Sequence, residues 1–148
     1  MAFDPTTVMR AVQTFLAASA RFPAGVSVGA PNAPPGGMTA AVWFDGFEPS
    51  MEASGLAALS GTVTFTVRMY RPIANEPNET VEIEMSQAAF ELLEDFCGDF
   101  DFGDSNVRNF DPNRTAIRAE EAEYKGVIYS IIDITVPLLV NDVASFVA

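Results

Sequence analysis

Apolar and polar residues alternate strictly along the segment GTVTFTVRMYRP, which runs from Gly61 to Pro72. One set of alternate positions is apolar: Val63, Phe65, Val67 and Met69. The other set, here called the threonine face, comprises Thr62, Thr64, Thr66 and Arg68. Side chains alternate between the two faces of a sheet, so the segment is predicted to be a half-buried β-strand. Its apolar face requires a core, whereas the threonine face is neither apolar nor strongly charged, and what covers it is an open question.

Two segments place apolar residues at helical spacing. Asp4 is a good N-cap and Pro5 suits the first helical position, so a helix is predicted to begin there and to end near Arg21. Its apolar stripe is Val8, Val12, Phe15, Leu16 and Ala20. A second helix is predicted from about Glu84 to Cys97 and is closed by Gly98. Just before it, residues 80–85 alternate between apolar and polar types, which favours a strand locally.

The remaining pattern predicts loops and further strands. Residues 23–37, PAGVSVGAPNAPPGG, are rich in proline and glycine and indicate an extended loop. A strand is predicted over 38–44, followed by a polar break at Asp45-Gly46, a second short strand over 47–51 and a turn at Ser54-Gly55. Residues 99–106 are an acidic loop, and residues 107–110 are a short strand.

A long hairpin closes the chain, with strands over 116–125 and 127–140 that turn near Lys125-Gly126. Pro137 cannot donate to a ladder, which predicts that this end of the last strand lies at a sheet edge. Together these elements predict an α+β fold in a single domain over residues 1–148. A mostly antiparallel sheet is flanked by two helices, and a long C-terminal β-hairpin completes it.

Composition adds a charge asymmetry. The chain of 148 residues is 49% hydrophobic yet carries a net charge of −12, a balance that leaves apolar surface to cover, for example in subunit interfaces. Residues 76–104 contain ten acids and no base. Such a surface repels phosphate backbones, so tight nucleic-acid binding is disfavoured. The alternative interpretation is an ordinary solvated face that keeps the chain soluble.

The residue types argue against catalysis. There is no histidine, which removes the usual general base and most zinc and iron sites. The single Cys97 sits near a helix C-terminus, where a thiolate is disfavoured, so a packing role is predicted for it. DFDFGD, over 99–104, departs from a calcium loop at its third acidic position and at position twelve. No enzyme activity, cofactor or metal site is predicted, and neither a signal peptide nor a membrane span is expected.

Three stretches are similar to the tail terminator proteins of long-tailed, siphovirus-type bacteriophages, especially those that infect actinobacteria. They are SGLAALSGTVTFTVRMY (54–70), CGDFDFGDSNVRNFD (97–111) and YSIIDITVPLLVNDVASFVA (129–148). The order also matches: N-terminal helix, Pro/Gly loop, the strand TAAVWF (39–44), central strand, helix, acidic turn and terminal hairpin. The resemblance covers nearly the whole chain, and the segment over 79–85 fits it least.

This resemblance implies a structural virion protein that forms a homo-oligomeric ring, usually of six subunits. The ring caps the head-proximal end of the tail tube, stops tail polymerisation and joins the tail to the head-completion or connector proteins. Its partners are further copies of itself, the tube protein and the connector protein, while DNA passes through the bore without being bound specifically. The protein is then made in the host cytoplasm and located in the virion, at the head-proximal end of the tail.

The resemblance also suggests roles for two groups of residues. Thr62, Thr64, Thr66 and Arg68 would form a subunit interface, with Arg68 reaching an acid of the neighbouring subunit. An ordinary exposed face, or a face under the protein's own helix, would explain the threonines equally. Asp99, Asp101 and Asp104 would line or rim the bore and let DNA slide. Alternative functions are another neck or tail protein, either a head-completion protein or a tube subunit, and a small ligand-binding α+β domain outside phages.

Overall fold

The computed structural model describes residues 3–19, 21–23, 25–30, 37–50, 58–73, 78–98 and 104–145. Two helices and six strands make up this part of the chain. In order they are α1 (Pro5–Ala18), β1 (Val26–Val28), β2 (Thr39–Pro49), β3 (Ala58–Pro72), α2 (Asn78–Gly98), β4 (Val107–Phe110), β5 (Ala116–Tyr124) and β6 (Val127–Ser145). The predicted α+β architecture, with a mostly antiparallel sheet, two helices and a long C-terminal hairpin, is confirmed.

All six strands belong to one sheet, in the order β1-β2-β3-β6, and β6 pairs on its far side with both β5 and β4. The pairs are antiparallel except that β1 runs parallel to β2. The central pair β3–β6 is the longest, with register partners from Ala58 opposite Ser145 to Pro72 opposite Tyr129. The predicted strand with the threonine face is therefore an interior strand, bounded on both sides by long neighbours.

Both helices pack on the same face of the sheet. Helix α1 begins as predicted, because the Asp4 side chain accepts a hydrogen bond from the backbone N–H of Thr6 and Pro5 takes the first position. The core contains residues of both helices and of the apolar side of the central strands: Val8, Val12, Leu16, Met85, Ala89, Leu92, Phe96, Val63, Phe65, Val67, Met69, Ile132, Ile134, Val136 and Leu138. Neither helix formed by the described residues is long and apolar enough to cross a membrane.

Helix α2 begins six residues before the predicted start, and the local strand prediction over 80–85 is wrong. Val81 lies four residues before Met85 and is buried with it, so the helical stripe extends one turn further toward the N-terminus. Ile83, which created the apparent alternation, lies on the exposed side of the helix. The short apolar–polar pattern over 80–85 is therefore compatible both with the two-residue period of a strand and with the 3.6-residue period of a helix. Packing of the segment on the sheet selects the helix.

Two predicted boundaries before the central strand also change. The predicted break at Asp45-Gly46 is a β-bulge within one continuous strand, since the register with β3 shifts between Phe44 and Gly46. Within the predicted Pro/Gly loop, residues 26–28 form β1 and pair with Ala40–Val42. The remainder of that prediction over 31–36, the residue Met51 and the turn at Ser54-Gly55 lie outside the described residues.

The C-terminal hairpin turns where the sequence predicts. Lys125 and Gly126 have φ values of 52° and 82°, and Tyr124 pairs directly with Val127. Two consecutive residues with positive φ define a two-residue turn whose twist matches that of the flanking strands. Strand β6 runs five residues beyond the predicted end at 140, to Ser145.

The prediction that Pro137 marks a sheet edge is wrong, because β6 is paired on both sides. On one side β5 pairs with it as far as Thr135, and β4 begins at Leu138. Pro137 falls between them, and its carbonyl accepts a hydrogen bond from the N–H of Asp111 on this side. In a strand, the N–H and C=O of one residue point to the same side. The N–H that Pro137 lacks would therefore point to the gap between β5 and β4, where no described strand is present to accept a hydrogen bond.

Candidate functional site: the open face of the sheet

The threonine face belongs to the side of the sheet opposite both helices. We call this side, as far as the described residues form it, the open face. Register places the following residues on its central part: Ala41 and Trp43 of β2, Thr62, Thr64, Thr66, Arg68 and Tyr70 of β3, Ile131, Asp133, Thr135, Pro137 and Leu139 of β6. No described helix packs on it, so the interpretation that the protein's own helix covers the threonines is wrong for this part of the chain.

Arg68 is at the centre of the open face. Its Nε and Nη2 atoms donate to the two carboxylate oxygens of Asp133, at 2.6 and 2.8 Å, and Nη2 lies 3.4 Å from a carboxylate oxygen of Glu120. The guanidinium carbon also lies 5.2 Å from the ring centroid of Trp43. The hydrogen bond with Asp133 raises the pKa of Arg68 above its ordinary value. The cation is thereby fixed in a planar, two-pronged geometry against an aromatic ring.

One end of the open face is closed by aromatic residues of the hairpin. The ring of Tyr124 lies 6.0 Å from that of Tyr70 and 5.7 Å from that of Tyr129, both edge-on. Together with Ala41 and Ile131 they form a small second core. Tyr70 is fully buried, and its hydroxyl makes no well-formed hydrogen bond with a described residue, although Arg68 lies within reach of it. Burial raises the pKa of Tyr70 to about 12, and the Tyr124 ring adds to this, although the charge of Arg68 opposes it.

An ion pair closes the opposite end. Glu48, on β2, pairs in register with Thr62, and its carboxylate accepts a hydrogen bond from Arg114, in the segment between β4 and β5. Because β3 and β6 lie between β2 and that segment, the pair spans the face above Thr62, which is 5% exposed. The hydrogen bond with Arg114 lowers the pKa of Glu48. The chain itself therefore covers this end of the threonine face.

Between the two closed ends, the face stays partly accessible. Trp43, Thr64, Arg68, Asp133 and Thr135 are all partly exposed. We call these five residues the central window. The charges of Arg68 and Asp133 cancel, so the window is near neutral in a chain with a net charge of −12. Tryptophan and arginine are among the residue types that anchor protein–protein contacts, and the window presents one of each on a near-neutral surface.

The structure thus divides the predicted interface residues. Thr62 and Thr66 are buried by neighbouring side chains, whereas Thr64 and Arg68 lie in the central window. Within the chain, Asp133 and Glu120 accept hydrogen bonds from Nε and Nη2 of Arg68, and the expectation that Arg68 also reaches an acid of a neighbouring subunit stays a prediction. Sequence reasoning missed Trp43, Asp133 and Tyr70, which lie far from one another along the chain; only the strand register brings them together.

The predicted bore-facing acids have a different outcome. Asp104 is 8% exposed, and its carboxylate accepts hydrogen bonds from the backbone N–H of Asp4, at 3.3 Å, and of Asn106, at 2.9 Å. It connects the start of α1 to the turn before β4, which is a structural role within the chain, and its place along or around a bore stays a prediction. Asp99 and Asp101 lie outside the described residues.

The described residues contain no group of three or more potential metal ligands. Cys97 is exposed near the end of α2, so the predicted packing role for it is wrong. Its thiol is not buried against the core stripe of the helix. One open depression, of about 300 Å³, lies between α2 and Met38. A second, of about 310 Å³, lies between β4 and β6.

No protein-family model matches the chain, and no curated protein matches its sequence.

Proposed function

We propose that this chain is a structural virion protein that assembles into a ring at the head-proximal end of a phage tail tube, where it ends tail polymerisation and joins the tail to the connector. The sequence resemblance to tail terminator proteins supports this assignment. The fold agrees with the order of elements that the resemblance implies. The role requires no reacting group, because it consists of contacts between proteins.

The observation that carries the ring is the central window on the open face. An antiparallel sheet can leave one face to water, but the exposed positions of such a face are then largely charged or strongly polar. In this chain, with its excess of acids, the window instead presents an indole beside an arginine–aspartate pair whose charges cancel, and two threonines. Contact with a neighbouring copy would cover these groups without bringing together the acidic parts of two subunits.

A ring also sets a condition on the window. In a closed ring the two contacting surfaces differ, so the window would contact another part of the neighbouring copy and not its own counterpart. Arg68 is already held by Asp133, so its role would be to present a rigid, flat cation–indole surface. Such preorganised aromatic and arginine groups lose little conformational freedom when they are covered.

Placing a lysine in the window tests the proposal. Thr64→Lys introduces a long cation at its centre, and Thr80→Lys, on the exposed surface of α2, is the matched control. Mass photometry of the free protein and negative-stain images with tube ends would count rings. We expect rings with the wild-type chain and with Thr80→Lys, and monomers with Thr64→Lys, while all three melt as folded proteins.

Two outcomes would contradict the proposal. Open-ended filaments of the protein alone would indicate a tube subunit, because a terminator limits its own assembly. Rings of Thr64→Lys equal in size and number to those of the wild type would show that the window is not the contact between copies.

A further inference from the structure

Helix α2 carries a second apolar stripe on the side that faces away from the sheet. Ile83, Phe90 and Cys97 follow one another at intervals of seven residues, and all three are exposed. The exposed fraction is 48% for Ile83 and 64% for Phe90. We call these three residues the outer stripe. It lies roughly opposite the buried residues Met85, Leu92 and Phe96, which face the core.

A helix that packs one face on a sheet normally has a polar outer face. Residues seven apart lie on the same side of a helix, two turns apart, so the three side chains are aligned along α2. Single exposed apolar residues need no explanation, but the outer stripe repeats at one spacing along one side of the helix, with the polar side chains of Ser86, Gln87 and Glu94 between its members. The geometry of the outer stripe therefore fits an elongated apolar partner that lies along α2.

The charges around the outer stripe decide what kind of partner fits. Helix α2 contains six acids and no base. Three of these acids lie toward the body of the protein and are engaged there: Glu84 with Arg71, and Glu91 and Asp95 with Arg21. The other three acids, Glu79, Glu82 and Glu94, are exposed and form no ion pair with any other residue in the described ranges. The stripe thus has an uncompensated acidic rim.

A second copy of this chain is a poor occupant. Two α2 helices packed along their outer stripes would bring their acidic rims together without a cation in either helix. The remaining surface offers little compensation, because the chain has only eight basic residues and Arg21, Arg68, Arg71 and Arg114 already pair with its own acids. The occupant must bring both apolar side chains and positive charge.

We propose that the outer stripe of α2 docks a basic amphipathic helix of a different protein. Apolar side chains of that helix would pack on Ile83 and Phe90, and its lysines or arginines would face Glu79, Glu82 and Glu94. The inference does not depend on the ring, because α2 lies on the side of the sheet opposite the central window.

A synthetic peptide provides the probe. It has leucine at the a and d positions of each heptad and lysine at e and g, and its control carries glutamate in place of the lysines. Fluorescence anisotropy of the labelled peptides with the full chain measures binding. We expect the lysine peptide to bind with a Kd of roughly 1–100 μM, weakening as salt is added, and the glutamate peptide not to bind.

Matched variants locate the site. Phe90→Ser and Ile83→Ser, both at exposed positions, should each weaken binding about tenfold or more, while Phe44→Ser, an exposed phenylalanine on β2, leaves it unchanged. Replacing Glu82 and Glu94 together with Gln should weaken binding and flatten its salt dependence. The same change at Glu121 and Glu123, on exposed positions of β5, should do neither. Thermal melting confirms that each variant is folded.

Four results would overturn the inference. The first is absence of binding at about 1 mM lysine peptide. The second is equal binding of the glutamate peptide or of Phe90→Ser. The third is a dimer of the chain alone that Phe90→Ser dissociates in mass photometry, which would assign the outer stripe to a second copy. The fourth is Phe90-dependent sedimentation with phosphatidylcholine vesicles, which would assign it to a lipid surface.

Discussion

Arg68 and Asp133 are direct register partners across the central strands β3 and β6, and the guanidinium donates two hydrogen bonds to the carboxylate, at 2.6 and 2.8 Å. Both side chains are largely covered by their neighbours, with 22% of each exposed. Opposite charges at a paired position of an interior strand also favour this register over its neighbours. The pair therefore has two roles: it helps to align the two longest strands, and it keeps the exposed surface near neutral.

Removing one partner of this pair should cost more than removing both. Arg68→Met leaves the half-buried Asp133 carboxylate without its donors, and Asp133→Leu leaves the cation without its acceptor, so each should lower the free energy of unfolding by about 1.5–3 kcal/mol. The double variant should lose less than the sum of the two. Urea unfolding of all four proteins measures the coupling in a double-mutant cycle.

The exposed pair Arg114–Glu48 is the natural comparison. Replacing Arg114 with Met should lower the free energy of unfolding by clearly less than either single change at the central pair, because both partners are largely exposed to solvent. Purely additive effects at Arg68 and Asp133, or an equal cost for Arg114→Met, would show that the central pair contributes no more than a surface pair.

Tyr70 predicts how stability changes at high pH. Burial raises the pKa of its phenol from 10.0 to about 12. The unfolded chain thus loses this proton at a lower pH than the folded chain, so the contribution of Tyr70 is fully present below pH 10 and is lost as the pH rises through about 12. Tyr70→Phe should flatten the fall in unfolding free energy over this window. Identical slopes for wild type and variant would contradict the burial of the phenol.

Neutral-pH stability gives a second readout on the same variant. The Tyr70 hydroxyl makes no well-formed hydrogen bond with a described residue, although Arg68 lies within reach of it, so Tyr70→Phe removes a buried polar group with little loss of hydrogen bonding. We therefore expect unchanged or slightly increased stability at neutral pH. A loss of more than about 1 kcal/mol would indicate a bonded hydroxyl.

Most elements of the fold could be predicted from the local sequence pattern. The elements that were predicted wrongly depend on contacts with residues far along the chain. The cap at Asp4, the strand over 107–110 and the turn at Lys125-Gly126 depend on neighbouring residues, and each is found where predicted. The start of α2 and the continuity of β2 depend on partners far along the chain. The helical position of Val81 becomes clear only from its burial in the core. The bulge at Asp45 becomes clear only from the register of β2 with β3.

The open face was less predictable than the fold. The alternation of β3 identified Thr64 and Arg68, but not the residues beside them. Trp43, Asp133 and Arg68 meet only because β2 and β6 pair on either side of β3 with a particular register. A single residue of slip in either neighbour would place Trp43 or Asp133 on the opposite face. No short-range pattern in the sequence encodes that choice.

Gly61 marks a close approach between β2 and β3. A Cβ atom at this position would overlap the carbonyl oxygen of Glu48 and lie 2.8 Å from the Cα of Pro49, both parts of the backbone. Gly61→Ala should therefore destabilise the protein by at least about 2 kcal/mol. Gly46→Ala, on the same strand pair with no atom near its Cβ position, should change stability by less than about 0.5 kcal/mol. Equal chemical denaturation midpoints for the two variants would contradict this contact.

The hairpin turn gives a prediction with opposite signs at adjacent positions. Gly126 has a positive φ and open space around it, so Gly126→Ala incurs only the backbone penalty, about 1–2 kcal/mol. Lys125 also has a positive φ, and asparagine adopts that conformation at lower cost, so Lys125→Asn should stabilise by roughly 0.5 kcal/mol. Thermal melts of both variants decide the matter, and the same sign for both would argue against this turn.

Asp104 changes how a role of the acidic segment in DNA passage must be tested. Asp104→Ala removes the acceptor of two backbone N–H groups and should cost about 1–3 kcal/mol of stability, measured by urea unfolding. In a variant that includes Asp104, a loss of function could therefore come from lower stability and not from the lost charge. The test is better confined to Asp99→Asn with Asp101→Asn, and Asp104→Asn made separately serves as the control for folding.

If these two acids repel DNA in a bore, their replacement should leave ring size and tail length unchanged and slow genome ejection. The effect should be largest at low ionic strength, because a Debye length of ~10 Å at 0.1 M salt screens the repulsion. A tail-length histogram and ejection rates at two salt concentrations measure both. Tails of uncontrolled length with normal ejection would instead place the acids at a contact with a partner protein, because a lost contact fails during assembly, before any DNA has moved. Wild-type tails with wild-type ejection at both salt concentrations would leave Asp99 and Asp101 as solvated charges whose contribution is solubility alone.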